Sequence, residues 1–520
     1  MIGSTHEVTN QFDELVDYNL YATDRPLQEA LQRAQAGAFV PALEAYGARL
    51  GAAASFALAE QANRQVPELR LFDRRGRRID QVDFHPAWHG LLTMLRSEGL
   101  VSLPFEDHGA GRWAAWAAGF YLHGQVEAGT LCPATMTQAA IPVLRQEPAL
   151  WPQLRQRLFD RRHDARDIPI ERKSSIWIGM GMTEKQGGSD LRANTTRAVP
   201  VGGGGRGMAY QLRGHKWFYS APTSDAHLVV ARDAHGHSCF FVPRWRPDGT
   251  RNAVQIQRLK SKVGNRSNAS GEVEFLDAYG VLLGEQGLVQ ALAYARRRQA
   301  FGRALAEHDL MRRVLVDLAL ESEAAVVLMM RLAQAFERDA DPLERAWKRI
   351  MTPAAKFWVC KRGVEIGGEV MEIFGGNGYV DDGPIARLFR EAPVNSIWEG
   401  SGNVMCLDVL RALAREPQAA AALLDDLALG TADESRLQAE YRQVRAALAV
   451  DPGQSEAHAR VLVMRLVLLA QAVLLRRSTP PAVAEAFIAT RFSPHWGHIA
   501  GGFEVDGLPE EELLQRALAA

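Results

Sequence analysis

Between residues 176 and 284 the chain changes character. The segments AHLVVARD, SCFFVPRW, AVQIQRL and GEVEFLD are short, rich in β-branched and aromatic residues, and separated by turn formers. That texture predicts a compact antiparallel β domain over 176–285. On either side the pattern is helical. Residues 1–175 are rich in Ala, Leu, Arg and Glu, with Leu43, Tyr46, Leu50 and Ala53 at helical spacing and Gly and Pro dividing the run into several helices. From 286 to 418 the stripe Leu310, Val314, Leu315 and Leu318 marks the apolar face of a bundle helix. Residues 419–520 read as further helices joined by DPGQ and STPP. The expected architecture is α+β and multidomain: an N-terminal helical domain, a middle antiparallel β domain, a helical bundle and an extra C-terminal helical domain. Gly202–Gly205 lacks the spacing of a phosphate loop and sits between two strand-like segments, so it reads as a hairpin tip.

Charge excludes a general polyanion binder. The 60 basic and 61 acidic residues leave a net charge of −1, so any nucleic-acid contact must rest on a local patch. Cys132, Cys239, Cys360 and Cys406 form no C-x-x-C pair, and reduced thiols are expected. No metal-binding spacing is present. The start, MIGSTHEVTNQFDELVD, has no apolar core of a signal peptide. The apolar run Val461–Leu475 is interrupted by Arg465 and Gln471 and is shorter than the roughly 20 residues a bilayer needs. A soluble, cytoplasmic protein is the expectation.

Four segments could carry chemistry. GMGMTEKQGGSD at 179–190 has glycines for close backbone approach and hydroxyls at Thr183 and Ser189; alone it is equally a polar loop. GHKWFYS at 214–220 sets three aromatics before a hydroxyl, which suits the wall of a planar ligand and equally a strand core. In NSIWEGSGN at 395–403, Glu399 follows the bulky Trp398. An apolar wall there would strip water from the carboxylate and strengthen it as a general base, although a surface glutamate at a helix start has the same wording. YARRRQAFG at 294–302 could hold a pyrophosphate with its arginines, or simply be a solvated face.

Order and separation decide what the single segments cannot. MTEKQGGSD, GHKWFYS, RQAFG at 298–302, GGNGY at 375–379 with Pro384, Arg387 and Arg390, and finally Glu399-Gly400 follow one another as the motifs of the acyl-CoA dehydrogenase family do. Over residues 1–418 the chain resembles that family. The wording of GMTEKQGGSDLRANTTRA, LKSKVGNRSNASGEVEF, TPAAKFWVCKRG and NSIWEGSGN, with the extra C-terminal region, resembles its AidB branch.

The resemblance implies FAD as cofactor, with Met182, Thr183, Gly188, Ser189, Phe218, Tyr219 and Ser220 on its ring side. It implies Trp398, Gly400, Ser401 and Asn403 lining the flavin, and Arg298 and Phe301 reaching the FAD of a neighbouring subunit in a homotetramer. It implies Glu399 as the base that removes the α proton of an acyl-CoA thioester, with weak activity toward isovaleryl-CoA-like substrates. It also implies binding of double-stranded DNA through the C-terminal region and protection against alkylation. A metabolic acyl-CoA dehydrogenase and a non-catalytic flavoprotein scaffold are the alternatives.

Several positions depart from the family pattern. Phe218 stands where Trp is usual, Ala300 and Asp309 where Gln is usual, and several helical turns after Gly287 are missing. Residues 419–520 carry nine Arg, no Lys and thirteen acids, a net −4, so DNA contact would depend on a patch of Arg476 and Arg477 joined by Arg465 and Arg491.

Overall fold

The computed structural model describes residues 15–106, 109–148, 150–186, 193–202, 207–234, 236–280, 299–300, 303–304, 309–374, 376–379, 384–448, 452–493, 496–497, 499–503, 505 and 507–517. The chain divides into two compact units, each assembled from separated stretches. One comprises 53–108 and 123–287; the other comprises 1–52, 109–122 and 288–520.

The first body is built on a seven-stranded sheet. Its strands are β3 (Ile178–Gly181), β4 (Arg197–Pro200), β5 (Tyr210–Ser220), β6 (Ala226–Asp233), β7 (Gly236–Pro243), β8 (Val254–Leu259) and β9 (Ser270–Gly280). The main path runs β3-β6-β4-β5-β9-β8, with β7 paired to β6. Most pairings are antiparallel, as expected, but β3 and β4 both run parallel to β6. The Gly202 segment joins the antiparallel pair β4–β5, as a hairpin connection should; residues 203–206 lie outside the described residues. Leu212, Val229, Val273 and Phe275 are fully buried in one core with Tyr219, Phe240 and Ile256. Along β5 the period-2 alternation slips: Lys216 and Tyr219, three apart, both point inward. The register shift between them is the cause, since one extra residue reverses which face the following side chains take.

Ahead of the sheet lies a hairpin that the helical reading of 1–175 did not predict. It consists of β1 (Glu68–Phe72) and β2 (Arg78–Asp83). The alternation in ELRLF and RIDQVD is a strand signal, hidden by the arginines around the turn. Arginines fix the hairpin to the sheet: Arg78 donates to the Ile256 carbonyl at 2.5 Å and Arg251 to the Ile79 carbonyl at 2.7 Å.

The second body is helical. Its long helices are Asp309–Glu337, Thr352–Phe374, Gly402–Arg415 and Pro452–Ser478. A single apolar core runs from Leu315 to Leu514 and includes Trp347, Ile350, Val409, Leu423, Leu469 and Phe487. The C-terminal hundred residues are therefore continuous with the bundle. The apolar run noted in sequence lies in Pro452–Ser478. Its stretch Glu456–Ser478 is long and apolar enough to cross a membrane, but 72% of it is buried within the protein, as in a core helix. At the N-terminal side, Arg25–Arg33 begins where the Asp24 side chain accepts from the Leu27 N–H, and it buries Leu27, Ala30 and Leu31.

Candidate functional site

The sheet body brings Met182, Thr183, Phe218 and Ser220 to the end of β3 and the end of β5. Two things hold the Met182–Gln186 loop. The first is backbone: the Trp217 N–H donates to the Thr183 carbonyl at 2.8 Å. The second is a buried ion pair, Lys216 Nζ to Glu184 Oε1 at 2.7 Å, with both side chains 0% exposed. Glu184 also accepts from the backbone N–H groups of Thr195 at 2.7 Å and Thr196 at 3.2 Å, and from Gln186 Nε2 at 2.7 Å. Burial pushes this carboxyl up, but the hydrogen bonds from Lys216, Thr196 and Thr195 outweigh it and hold the group at about 2. Burial also pulls the Lys216 ammonium down, against the pull of Glu184. Lys216 and Asn194 both donate to the Met182 carbonyl, at 3.3 and 2.8 Å. The pair thus fixes the loop that carries Met182 and Thr183.

On β5, Phe218 is 48% exposed, a large aromatic facing outward. Tyr219 does not join it. The Tyr219 ring is buried and stacked on His227, with centroids 3.8 Å apart and planes at 17°. The bulge turns Tyr219 into the core, so as a wall of the ligand site it is corrected to a support beneath that wall. Gly181 makes room for it: a Cβ there would sit 2.7 Å from the Tyr219 ring. Burial holds the His227 imidazole at about 3, so it is neutral and uses Nε2–H to donate to the Ser220 carbonyl at 3.1 Å. The end of β5 is therefore anchored from below, and the half-buried Ser220 hydroxyl is positioned with it.

The helical body supplies the turn Trp398-Glu399-Gly400-Ser401. Glu399 has φ 53° and Gly400 φ 111°, two consecutive residues in the left-handed region. A glutamate there is strained by about 1–3 kcal/mol, and such strain clusters at functional sites. The Lys356 ammonium holds the turn by donating to the Gly400 carbonyl. Ser401 sits at the N-cap of Gly402–Arg415, and exposed Asn403 accepts from Arg460 Nε at 2.8 Å. The buried Trp398 indole N–H has no protein acceptor among the described residues.

These features fit the FAD expected from sequence. On the sheet body, an outward aromatic, an anchored hydroxyl and a fixed backbone loop suit a flat, polar-edged ring. Gly188, Ser189, Arg298 and Phe301, and the shortened segment after Gly287, lie outside the described residues.

The arginines expected to contact DNA are engaged within the protein. Arg491 is 0% exposed on its side chain and pairs with Asp317 at 2.6 Å and Glu321 at 3.3 Å. It is a buried structural cation, and its place in a DNA patch is withdrawn. Arg476 donates to the carbonyls of Gly430 at 2.6 Å and Ala432 at 2.8 Å, beyond the end of helix Pro417–Leu429. Arg477 pairs with Asp426 at 3.0 Å, and Arg465 bonds Gln443 and lies 3.6 Å from Glu440. Sequence reasoning missed Glu184, Lys216 and Asn194. The first two were legible as opposite charges inside two adjacent motifs.

Three family models match the chain. They are the adaptive response protein AidB N-terminal domain over residues 10–165, the acyl-CoA dehydrogenase middle domain over 179–278 and the acyl-CoA dehydrogenase C-terminal domain over 278–414. The chain is 43% identical to the putative acyl-CoA dehydrogenase AidB of Escherichia coli K12, across 99% of both chains. That alignment runs to 549 positions against 520 residues, so at least 29 positions of the relative have no counterpart here. In fold, the chain is similar to Caenorhabditis elegans ACDH-11, solved in complex with C11-CoA. The TM-score is 0.82, with 24% identity and 94% and 93% of the two chains covered. It is also similar to a Bacillus anthracis acyl-CoA dehydrogenase complexed with FAD, with a TM-score of 0.58, 15% identity and 83% and 79% covered.

Proposed function

This chain belongs to the AidB branch of the acyl-CoA dehydrogenase family, and from that we propose that it oxidises an acyl-CoA thioester with Glu399 as the base. It is an FAD-dependent oxidoreductase. The observation that carries the reading is the Glu399-Gly400 turn, strained at φ 53° and held by Lys356. Met182, Thr183, Phe218 and Ser220 would hold the flavin ring. FAD, when bound, supplies the two-electron acceptor for the β hydride. Glu399 takes the α proton, leaving a 2-enoyl thioester. A thioester α proton is weakly acidic, so the fixed turn has to hold the carboxylate in place while donors polarise the carbonyl.

Isovaleryl-CoA added to the purified flavoprotein tests this. Loss of the visible flavin band is expected, and Glu399→Gln should retain FAD but abolish the bleaching. Equal bleaching by the variant would remove Glu399 from the role of base. Bound FAD that does not bleach in the wild-type protein would favour the scaffold alternative.

Binding of duplex DNA, with protection from alkylation, is a second reading, and one observation favours it. The body formed by 53–108 and 123–287 carries 29 Lys and Arg against 23 Asp and Glu, a net +6, and the rest of the chain is net −7. Its β1–β2 hairpin presents Arg74 and Arg75 exposed beside Gly76, around which space is open. Phosphate contacts dominate DNA affinity and release counterions. Arg74→Ala with Arg75→Ala should weaken duplex binding and lower the salt slope by about 2, at roughly one per phosphate contact. An unchanged slope, with a loss on Arg476→Ala plus Arg477→Ala, would return the contact to the C-terminal region. We read the working form as a cytoplasmic homotetramer, which light scattering on the holoprotein tests for assembly.

A further inference from the structure

Ser220 and Ser270 face each other across β5 and β9 as register partners, with their hydroxyl oxygens 3.3 Å apart. Behind Ser270 lies Lys262, whose ammonium donates to Ser270 Oγ at 3.1 Å. Lys262 is held by the loop it belongs to, donating also to the Asn268 carbonyl at 2.6 Å and to Asn265 Oδ1 at 3.3 Å. Ser270 is 4% exposed, and Ser220 and Lys262 are half-buried, so the chain of donors runs from Lys262 through a buried hydroxyl to the one at the end of β5.

Between two serines, either oxygen can donate. The lysine breaks that symmetry. An ammonium has donors and no acceptor, so the lone pair it engages on Ser270 Oγ polarises the Ser270 O–H. That hydrogen is then directed to Ser220 Oγ. The Ser220 hydrogen, in turn, is left to point away from the sheet. The Ser220 carbonyl is fixed by His227, and the Ala221 N–H donates to the Ala269 carbonyl at 2.8 Å, so the serine cannot swing to another partner without moving the strand end.

We propose that Lys262 is a positioning residue: through Ser270 it fixes Ser220 as a hydrogen-bond donor toward the flavin ring. The inference rests on the reading above that Ser220 lies at the flavin. A directed donor, backed by a cation, stabilises the electron-rich reduced ring more than the oxidised one, and so favours uptake of the hydride. No proton or electron passes along Lys262 and Ser270; they set the direction of one hydroxyl.

The test is a dye-equilibrated reductive titration of the holoprotein and four variants, with the visible flavin spectrum recorded alongside. Ser270→Ala breaks the chain and leaves the Lys262 loop contacts in place. Lys262→Met removes the cation, and Lys262→Arg keeps it. Ser270→Ala and Lys262→Met should each lower the ratio of reduced to oxidised flavin about tenfold at a fixed potential, which is about 30 mV for two electrons. Lys262→Arg should recover most of that loss. Ser220→Ala separates the two levels of the inference. If it shifts the titration while Ser270→Ala does not, the relay is overturned and the flavin site stands. If Ser220→Ala shifts nothing, the placement of Ser220 at the flavin falls. Should Lys262→Met lose FAD through loosening of its loop, Ser270→Ala alone decides.

Discussion

The ion pair beneath the Met182–Gln186 loop makes a quantitative prediction. Lys216→Met removes the cation and leaves the Glu184 carboxyl in a site where neither side chain reaches water. Breaking a buried pair by removing one partner costs about 3–5 kcal/mol. The carboxyl itself gives an independent figure. It is held at about 2 against an ordinary 4.5, and each unit is about 1.36 kcal/mol, so the ionised form contributes about 3.4 kcal/mol, an upper bound for Lys216 because Thr195 and Thr196 share in it. The sign follows from the depressed acid: this stability is complete above pH 4.5 and is lost as pH falls through about 2. At pH 7 the variant should therefore be about 3 kcal/mol less stable. At pH 3 roughly 1.4 kcal/mol of the wild-type contribution remains, so the gap between the two proteins should narrow, by at most about 2 kcal/mol. Urea unfolding followed by tryptophan fluorescence measures both, with Trp217 adjacent to the altered residue. Glu184→Gln combined with Lys216→Met should recover part of the loss, because no charge is then left unpaired. A loss under 0.5 kcal/mol at pH 7, or one that does not change with pH, would refute the claim that the pair holds the loop.

Other sites yield predictions from the same physics. Gln471 is 0% exposed within the bundle core, and neither its amide nitrogen nor its oxygen has a partner among the described residues. Gln471→Met keeps the shape and removes the unpaired dipoles, and should raise stability by about 1–2 kcal/mol in urea unfolding. Arg491→Leu leaves Asp317 buried without its ion-pair partner and Glu321 with Arg362 alone, and should cost about 3–5 kcal/mol, without altering any DNA salt slope of the protein that remains folded.

Much of this molecule was legible in its sequence, and the exceptions have causes. The β domain was readable because AHLVVARD and GEVEFLD follow one rule, strand alternation bounded by turns. The β1–β2 hairpin escaped because five arginines in eleven residues resemble a solvated helix face. Tyr219 was misplaced because a bulge has no signature of its own: it shows only in the register with β9. The order of motifs singled out Glu399 as a candidate, yet no spacing rule announces its left-handed backbone. Arg491 looked like a surface cation because partners from Asp317 and Glu321 come from 170 or more residues away. Lys262 and Ser270 were in plain view, but their meaning needed the pairing of two strands.

The helical body also carries a timetable. Glu29, on the Arg25–Arg33 helix, meets Arg516 at 2.8 Å across 487 residues of chain, and Arg516 bonds Glu323 at 2.6 Å. A ribosome adding 5–20 residues per second takes roughly 25–100 s between those two arrivals. Through that interval Glu29 is without its Arg516 partner. The sheet body finishes synthesis well before and is free to fold first. The Arg25–Arg33 helix thus completes its ion pair only once the last described helix has been made.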